Sequence, residues 1–443
     1  MKTHWYLGLP VLTALCLLTS SAWGRTWFIK SDGTGDAPTV QAGVDSAAAG
    51  DTVFVGPGTF TDTTHVLVGG EVMAVCAHIT KDLVLQGSGT SSTTLGSDAA
   101  DIVVFADHVG APGEISSFKL TTGSGGYGCV DLDKSPSVLE KHGVFCESSP
   151  VTLRDNEIYA NDVAIGLSGS SAQVLDNEIH LSVRALNIEK SSDAVIRNND
   201  IYDCAALLEC IGSSPQIIDN AMHDACAGLS FQSGCSPRIT GNRINPMGPD
   251  FSVGILSLSG AVIEGNWISG VYYAIKIGNE WPDTRIVRGN IIYGTAEAIQ
   301  ISRPNALVEN NTIDVAIFGI TGAAGSTFLI RNNIITRTGW GIAAVAADPP
   351  TIQCNDIFGA SAAPYWGIPD QTGTNGNISV DPEYCGIDDS GNYYLQSDSP
   401  CAPGNHPDGY ECGLIGGLQV NCGKVAAEKK SWGTIKSLYR RDG

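Results

Sequence analysis

The chain is 443 residues long, 43% hydrophobic and only 16% charged, with 53 glycines and a formal net charge of −21 at pH 7. That acidity argues against nucleic acid or an anionic membrane surface as partner, and an acidic polysaccharide would need a local basic patch or bridging cations. Such a glycine-rich, charge-poor composition speaks against a helical protein and suits a turn-dense all-β one.

Residues 1–24 start with Lys2, continue through an apolar run from Leu7 to Leu18 and end in the small-residue segment SSAWG, the three parts of a cleavable signal peptide. The mature chain then begins near Arg25 with a net charge of −22, since Lys2 takes one positive charge from the total of −21. Cys16 follows Leu15 rather than a small residue, which argues against a lipoprotein anchor. No later apolar run approaches the roughly 20 residues of a membrane span. The expectation is a soluble monomer that is secreted, periplasmic or held at the cell surface.

Residues 25–60 read as an N-terminal cap and first coil. In APTVQAGVDSAAAG, Val40, Val44 and Ala47 recur at helical spacing behind Thr39, which predicts a short amphipathic helix closing one end of the molecule. DTVFVG and DLVLQG look like early, irregular coils. ISSFKL brings a regular frame, with Ile115 three residues before Phe118 and Leu120 two after it, and a long insertion follows from Thr121 to His142.

From there one asparagine recurs, at Asn156, Asn177, Asn199, Asn220, Asn242, Asn266, Asn290, Asn311, Asn333 and Asn355, at intervals of 21 to 24 residues. Position −3 from it is always aliphatic, from Leu153 and Val174 through to Ile352, and position +2 is isoleucine in every copy except Met222. Position +9 runs Ile165, Leu186, Leu208, Leu229, Ile275, Ile299, Ile320 and Ile342, with Ile255 displaced by the insertion PMGPDF. Three inward aliphatics in about 22 residues are too few for an amphipathic helix, and their β-branching fits three short strands per coil. A lone coil cannot bury its apolar side, whereas stacked coils can, with strands about 4.8 Å apart. The predicted fold is all-β: a single-stranded right-handed parallel β-helix with a short N-terminal capping helix, its coils filling residues 61–364.

The residue before the asparagine is Asp, Asn or Gly in every copy but the last, where it is Cys354, as a left-handed backbone position demands. An amide carries both a donor and an acceptor, so asparagines stacked at the coil spacing can bond to turn backbone and to one another. The column is therefore read as structural.

Strand alternation sends positions +7, +10 and +12 outwards. Position +7 supplies Tyr273, Glu297, Phe318 and Trp340 on consecutive coils, and position +10 supplies Asn187, Glu209, Ser230, Lys276 and Gln300. An aromatic strip beside polar groups suits sugar stacking, with Tyr273, Trp281, Glu297, Gln300, Phe318 and Trp340 as substrate-binding candidates. Aromatics covering apolar wall under a loop is the other reading. Two catalytic sets are open: Glu189 and Glu209, on adjacent coils, as acid and base of glycoside hydrolysis, or Lys276 with Arg303 as base and carbanion stabiliser of a uronate lyase. At position +1 the stacked carboxylates Glu157, Glu178 and Asp200 call for solvation or a bridging Ca²⁺. No other cofactor is implied. At +3, Tyr159, His180, Tyr202 and His223 read as a stacking ladder.

Of the 13 cysteines, Cys16 leaves with the signal, and the remaining 12 predict disulfides in an exported chain. That reading is favoured over metal binding for Cys385, Cys401, Cys412 and Cys422, and is left open for Cys204, Cys210, Cys226 and Cys235, since CxxC spacing is absent. Residues 365–423 are read as a disulfide-braced C-terminal cap. Residues 424–443 form a basic tail with Trp432, Ile435 and Leu438 at roughly helical spacing.

The segment FIKSDGTGDAPTVQAGVDSAAAGDTVFVGPGTF resembles the N-terminal cap and first coil of bacterial exported β-helix proteins of the pectin-lyase-like superfamily, and the N-x-I coils resemble their repeats. NISVDPEYCG, NYYLQSDSPCAPGN and GLIGG are similar to closing segments of such proteins. The resemblance implies the fold and a polysaccharide or cell-surface glycan as partner. It transfers no catalytic residue, because the G-D-F-I-F-G, G-H-G, R-I-K and R-x-P-x-x-R motifs of pectin-active members are missing. The expected function is polysaccharide binding with or without cleavage, the alternative being a non-catalytic surface or matrix protein.

Overall fold

The computed structural model describes residues 24–110, 113–124, 140–232, 234–246, 252–278, 285–302, 305–322, 328–344, 349–386 and 392–422. The signal segment, the basic tail, Trp281 and Arg303 lie outside the described residues, as does most of the Thr121 to His142 insertion.

Each full coil contributes three strands. One coil runs Thr152–Arg154, Glu157–Tyr159 and Val163–Ser168, and every strand pairs in parallel with its counterpart in the next coil, at Gln173–Leu175, Glu178–His180 and Arg184–Glu189. Three parallel faces result, and the chain winds as a right-handed parallel β-helix. Among the described residues the first face holds 14 strands, from Thr26–Ile29 to Thr351–Gln353. The rows at −3, +2 and +9 are buried and merge into one apolar core from Ile29 to Tyr365. The capping helix is Val40–Ser46, with the Thr39 hydroxyl accepting from the Ala42 N–H at 3.1 Å. Val40, Val44 and Ala47 cover the open end of the core.

The asparagine column forms a continuous ladder. Each Oδ1 accepts from the backbone N–H and the side-chain amide of the asparagine one coil earlier, at 2.9 to 3.1 Å from Asn156 to Asn355. It continues to Asn377, 22 residues beyond Asn355, which sequence reading had left out. Every residue before a ladder asparagine from Asn156 to Asn355 has positive φ, Cys354 included at 55°. Cys354 tolerates this conformation at a position tied to Cys412 by a disulfide. Shorter ladders line the other turns. Serines at 149, 170, 192 and 213 are linked by N–H···Oγ bonds of 2.8 to 3.0 Å. Thr122, Asn161 and Ser182 link in the same way.

Two features depart from a plain stack. The antiparallel hairpin Thr64–Val68 and Glu71–Ile79 turns at Gly69 and Gly70, both at positive φ. Its Val68, Met73 and Val75 cluster with Ile102 and Phe105 on the outer side of the third face. At the other end, the chain after Ile378 folds back along the second face, where Tyr384, Tyr393, Leu395, Cys401 and Ile415 pack on Ile291 and Ile334. The +1 row explains where it lies: acidic at Glu157, Glu178 and Asp200, it becomes Ile291, Thr312 and Ile334 under this segment. Asn310 and Asn332 donate to the Leu414 carbonyl at 2.7 and 2.9 Å, and disulfides Cys354–Cys412 and Cys385–Cys422 close it. The C-terminal cysteine cluster is thus paired within itself only at Cys385–Cys422, since Cys412 reaches back to Cys354 and Cys401 is a buried free thiol.

Asp356, fully buried beneath this segment, accepts from the Val380 N–H at 3.1 Å and the Cys401 thiol at 3.2 Å. Burial pushes its carboxyl up to about 7 against these bonds. Because the folded chain favours the protonated form, this contribution is fully present below about pH 4 and is lost as the pH rises through about 7. Asp356→Asn is expected to flatten that dependence and to be the more stable form at pH 8, by on the order of 3 kcal/mol. Urea unfolding of both proteins at pH 5 and pH 8 measures it; an equal difference at the two pH values would count against the assignment.

Candidate functional site

The outward side of the third face divides into two parts. Over the N-terminal coils it is closed: Val163 and Arg184, in the +7 row, are buried, whereas their sequence positions had predicted exposure. The reason is what lies on them. The Arg184 guanidinium pairs with Glu140 at 2.6 Å, at the end of the insertion, and with Glu209 at 3.1 Å on the next coil. Burial, opposed by Arg184, raises the Glu140 carboxyl, and burial holds His142, whose Nδ1 meets the Glu140 carbonyl at 2.8 Å, down at about 4, hence neutral.

Glu189 and Glu209 fall on adjacent coils and two positions apart, with Asn187 opposite Glu209 and Ile211 opposite Glu189. Glu209 also accepts from Gln232 at 2.7 Å, and Glu189 from Asn187 at 3.0 Å. With Arg184 and Gln232 as donors, Glu209 is held in place as an acceptor.

From Tyr273 onward the face opens. Tyr273, Glu297, Phe318 and Trp340 are in register on successive strands Tyr273–Ile277, Ile291–Ile301, Thr312–Gly322 and Trp340–Ala344, each half-buried. The +10 row beside them reads Lys276, Gln300 and Thr321. Small residues at +8, Ala274, Ala298, Gly319 and Gly341, let the coils close beneath this row; at Gly319 a Cβ would stand 2.5 Å from the Gly341 carbonyl oxygen.

The strip is a connected surface. The Lys276 ammonium lies 4.8 Å from the centroid of the Tyr273 ring, and Tyr272 tilts against the same ring at 4.7 Å. Burial and then the Glu297 charge raise the Tyr273 phenol, so it remains a donor at neutral pH. Glu297 accepts from Gln300 at 3.0 Å and from Thr321 at 3.2 Å. Phe318 and Trp340 stack at 4.8 Å and 12°, so each covers one face of the other. Trp366, on the last coil and 52% exposed, belongs to the +10 row and escaped sequence reading because its coil lacks the preceding pattern.

The second face carries the predicted ring ladder. Tyr159, His180, Tyr202 and His223 stack at 5.6, 5.0 and 5.3 Å. Three of the four rings also reach the +1 carboxylate of the preceding coil: His180 meets Glu157 at 3.4 Å, Tyr202 donates to Glu178 at 2.7 Å, and His223 meets Asp200 at 3.2 Å. The acidic column is thus relieved by side-chain donors. Burial works against ionisation of Glu157, yet bonds from His180 and Lys119 hold it at about 2. Among the described residues no group of three or more His, Cys, Asp or Glu is arranged to hold a metal ion, and no helix is long and apolar enough to cross a membrane.

Solved structures similar to this chain include the catalytic unit of a thermostable GH87 alpha-1,3-glucanase from Streptomyces thermodiastaticus strain HF3-3, at 15% identity and a TM-score of 0.42, over 77% of this chain and 64% of that one. A PL6 family alginate lyase is similar at 14% identity and a TM-score of 0.45, over 88% and 56%. The A-module of an Azotobacter vinelandii mannuronan C-5 epimerase is similar at 14% and 0.36, over 78% and 95%. The chain spans less than two thirds of the glucanase and lyase chains. No curated protein matches it in sequence. A family model described as "Right handed beta helix region" matches residues 142–281 and 251–357. These are the coils whose register is traced above, so over residues 142–357 the chain is a right-handed parallel β-helix and matches the model of that family.

Proposed function

We propose that the protein, exported from the cytoplasm, binds an extended polysaccharide along the open part of the third face. The observation that carries this reading is the half-buried row Tyr273, Glu297, Phe318 and Trp340, one residue per coil, beside Lys276, Gln300 and Thr321. Coils repeat about every 4.8 Å, close to the length of one sugar unit, so a chain lying along the axis meets the same pair of rows at each residue. Because Phe318 and Trp340 cover each other, stacking is concentrated at the far face of Trp340, where the next coil offers only Ala363. Along the rest of the strip recognition is polar, with Lys276 suited to a uronate carboxylate and Glu297, Gln300 and Tyr273 to hydroxyls.

Cleavage would be a second property of the same face. Lys276 with Arg303 would serve a lyase, and Glu189 with Glu209 a hydrolase, with the Arg184-paired Glu209 in the role of base.

The purified protein is tested against uronans and neutral glycans by affinity electrophoresis, with product assays for unsaturated and reducing ends. Trp340→Ala is expected to weaken binding about tenfold for any bound glycan, and Lys276→Ala to weaken uronans selectively. Unchanged retention in both variants, or no retained glycan at all, would sink the reading; new chain ends would add cleavage to it.

A further inference from the structure

We propose that Cys210 and Cys235 are joined by a disulfide when the protein folds in an oxidising compartment, bolting neighbouring coils together in the middle of the solenoid. The two sulfurs lie 3.1 Å apart and both side chains are fully buried. Cys210 belongs to an inward row of the third face, opposite Phe231. Cys235 instead takes a place in the serine ladder, 22 residues after Ser213. The Ser213 N–H bonds to the Cys235 sulfur as the N–H groups of Ser149, Ser170 and Ser192 bond to serine oxygens. A hydroxyl would meet the needs of that ladder, so the ladder does not explain a sulfur here, whereas the facing thiol does. Disulfides Cys354–Cys412 and Cys385–Cys422 in the same chain imply maturation where thiols are oxidised.

The oxidant is a disulfide, from a thiol–disulfide exchange protein or an oxidised small thiol. One cysteine thiolate attacks it, expelling one oxidant thiol and leaving a mixed disulfide; the second cysteine displaces the other oxidant thiol and the Sγ–Sγ bond forms. The chain gives up two protons and two electrons, and the oxidant is reduced to two thiols. Since both sulfurs are shut off from solvent, exchange precedes closure of these coils, and the finished bond is sheltered from mild reductants.

Protein exported to an oxidising compartment is denatured, alkylated without reductant and digested. A Cys210–Cys235 linked peptide pair is expected at the same occupancy as the pairs from Cys354–Cys412 and Cys385–Cys422, and it is expected to survive mild dithiothreitol treatment of the native protein. Cys235→Ser keeps a ladder hydroxyl, and is expected to lose the pair and melt about 3 °C lower. Recovery of Cys210 and Cys235 as separate alkylated residues, in material whose Cys354–Cys412 and Cys385–Cys422 bridges are intact, would overturn the proposal.

Discussion

Asn242→Ala is expected to lower stability by about 3 kcal/mol, although Asn242 lies away from the open strip of the third face and sits in a turn. Its amide nitrogen donates to the Ile217 carbonyl at 2.8 Å, the Thr240 carbonyl at 3.1 Å and the Asn266 side chain at 3.0 Å, while its oxygen accepts two bonds of 2.9 Å from Asn220. Alanine removes all of these in a buried site that water does not reach, and leaves the Asn220 backbone N–H without its acceptor. The damage is expected to be local at first, because stability in a stacked-repeat protein is a sum over neighbouring coils. Hydrogen exchange should therefore show protection falling in the coils around Ile217, Ile239 and Ile263 before the ends respond. Gln216→Ala, at an exposed position one coil earlier, provides the control and is expected to change stability by less than about 0.5 kcal/mol. Equal losses in the two variants would show that the ladder is not what holds the turns.

The second large effect is expected at Arg184. Arg184→Met should cost about 3 to 5 kcal/mol, since it leaves Glu140 and Glu209 as carboxylates held in a site that the guanidinium had neutralised. Adding Glu140→Gln and Glu209→Gln should recover most of the loss, because the penalty belongs to the unpaired charges more than to the missing attraction. The pH dependence gives an independent check. Burial already raises the Glu140 carboxyl with Arg184 present, so without it the folded state favours the protonated acid more strongly. The deficit of Arg184→Met should then shrink as the pH is lowered from 7 to 5. A deficit that is constant over this range would mean that lost packing of the arginine stem, rather than charge, causes it.

Much of the architecture was legible before any coordinates because one residue type recurs in one register. Leu153, Ile158 and Ile165 mark the three faces of a coil, and the same offsets from the next asparagine mark the next. The capping helix could be read from Thr39, Val40 and Val44 for the same reason: local hydrogen bonding and side-chain spacing act within a few residues. The serine ladder was not read, since its members are small polar residues that occur in any loop. The hairpin at Gly69 and Gly70 was also missed, although a Gly-Gly pair between alternating apolar residues is a usable signal.

The candidate site was legible only in part. Columns follow from the repeat, so the alignment of Tyr273, Glu297, Phe318 and Trp340 was predictable. Which parts of the face are open was not, because the buried Arg184 and the fold-back of residues after Ile378 depend on segments far apart in the chain.

What the sequence by itself determined is the solenoid: its period, its three inward rows and its asparagine spine, all set by interactions between a residue and its equivalent about 22 positions on. Tertiary structure alone decided which stretches of wall are covered, that Cys412 bonds to Cys354 rather than within its own cluster, and that rings on the second face satisfy the stacked carboxylates. The physical reason is the range of the forces involved. Periodic burial and hydrogen bonding repeat with the sequence and can be read from it, whereas the docking of an irregular segment onto a regular wall depends on three-dimensional complementarity that no period encodes.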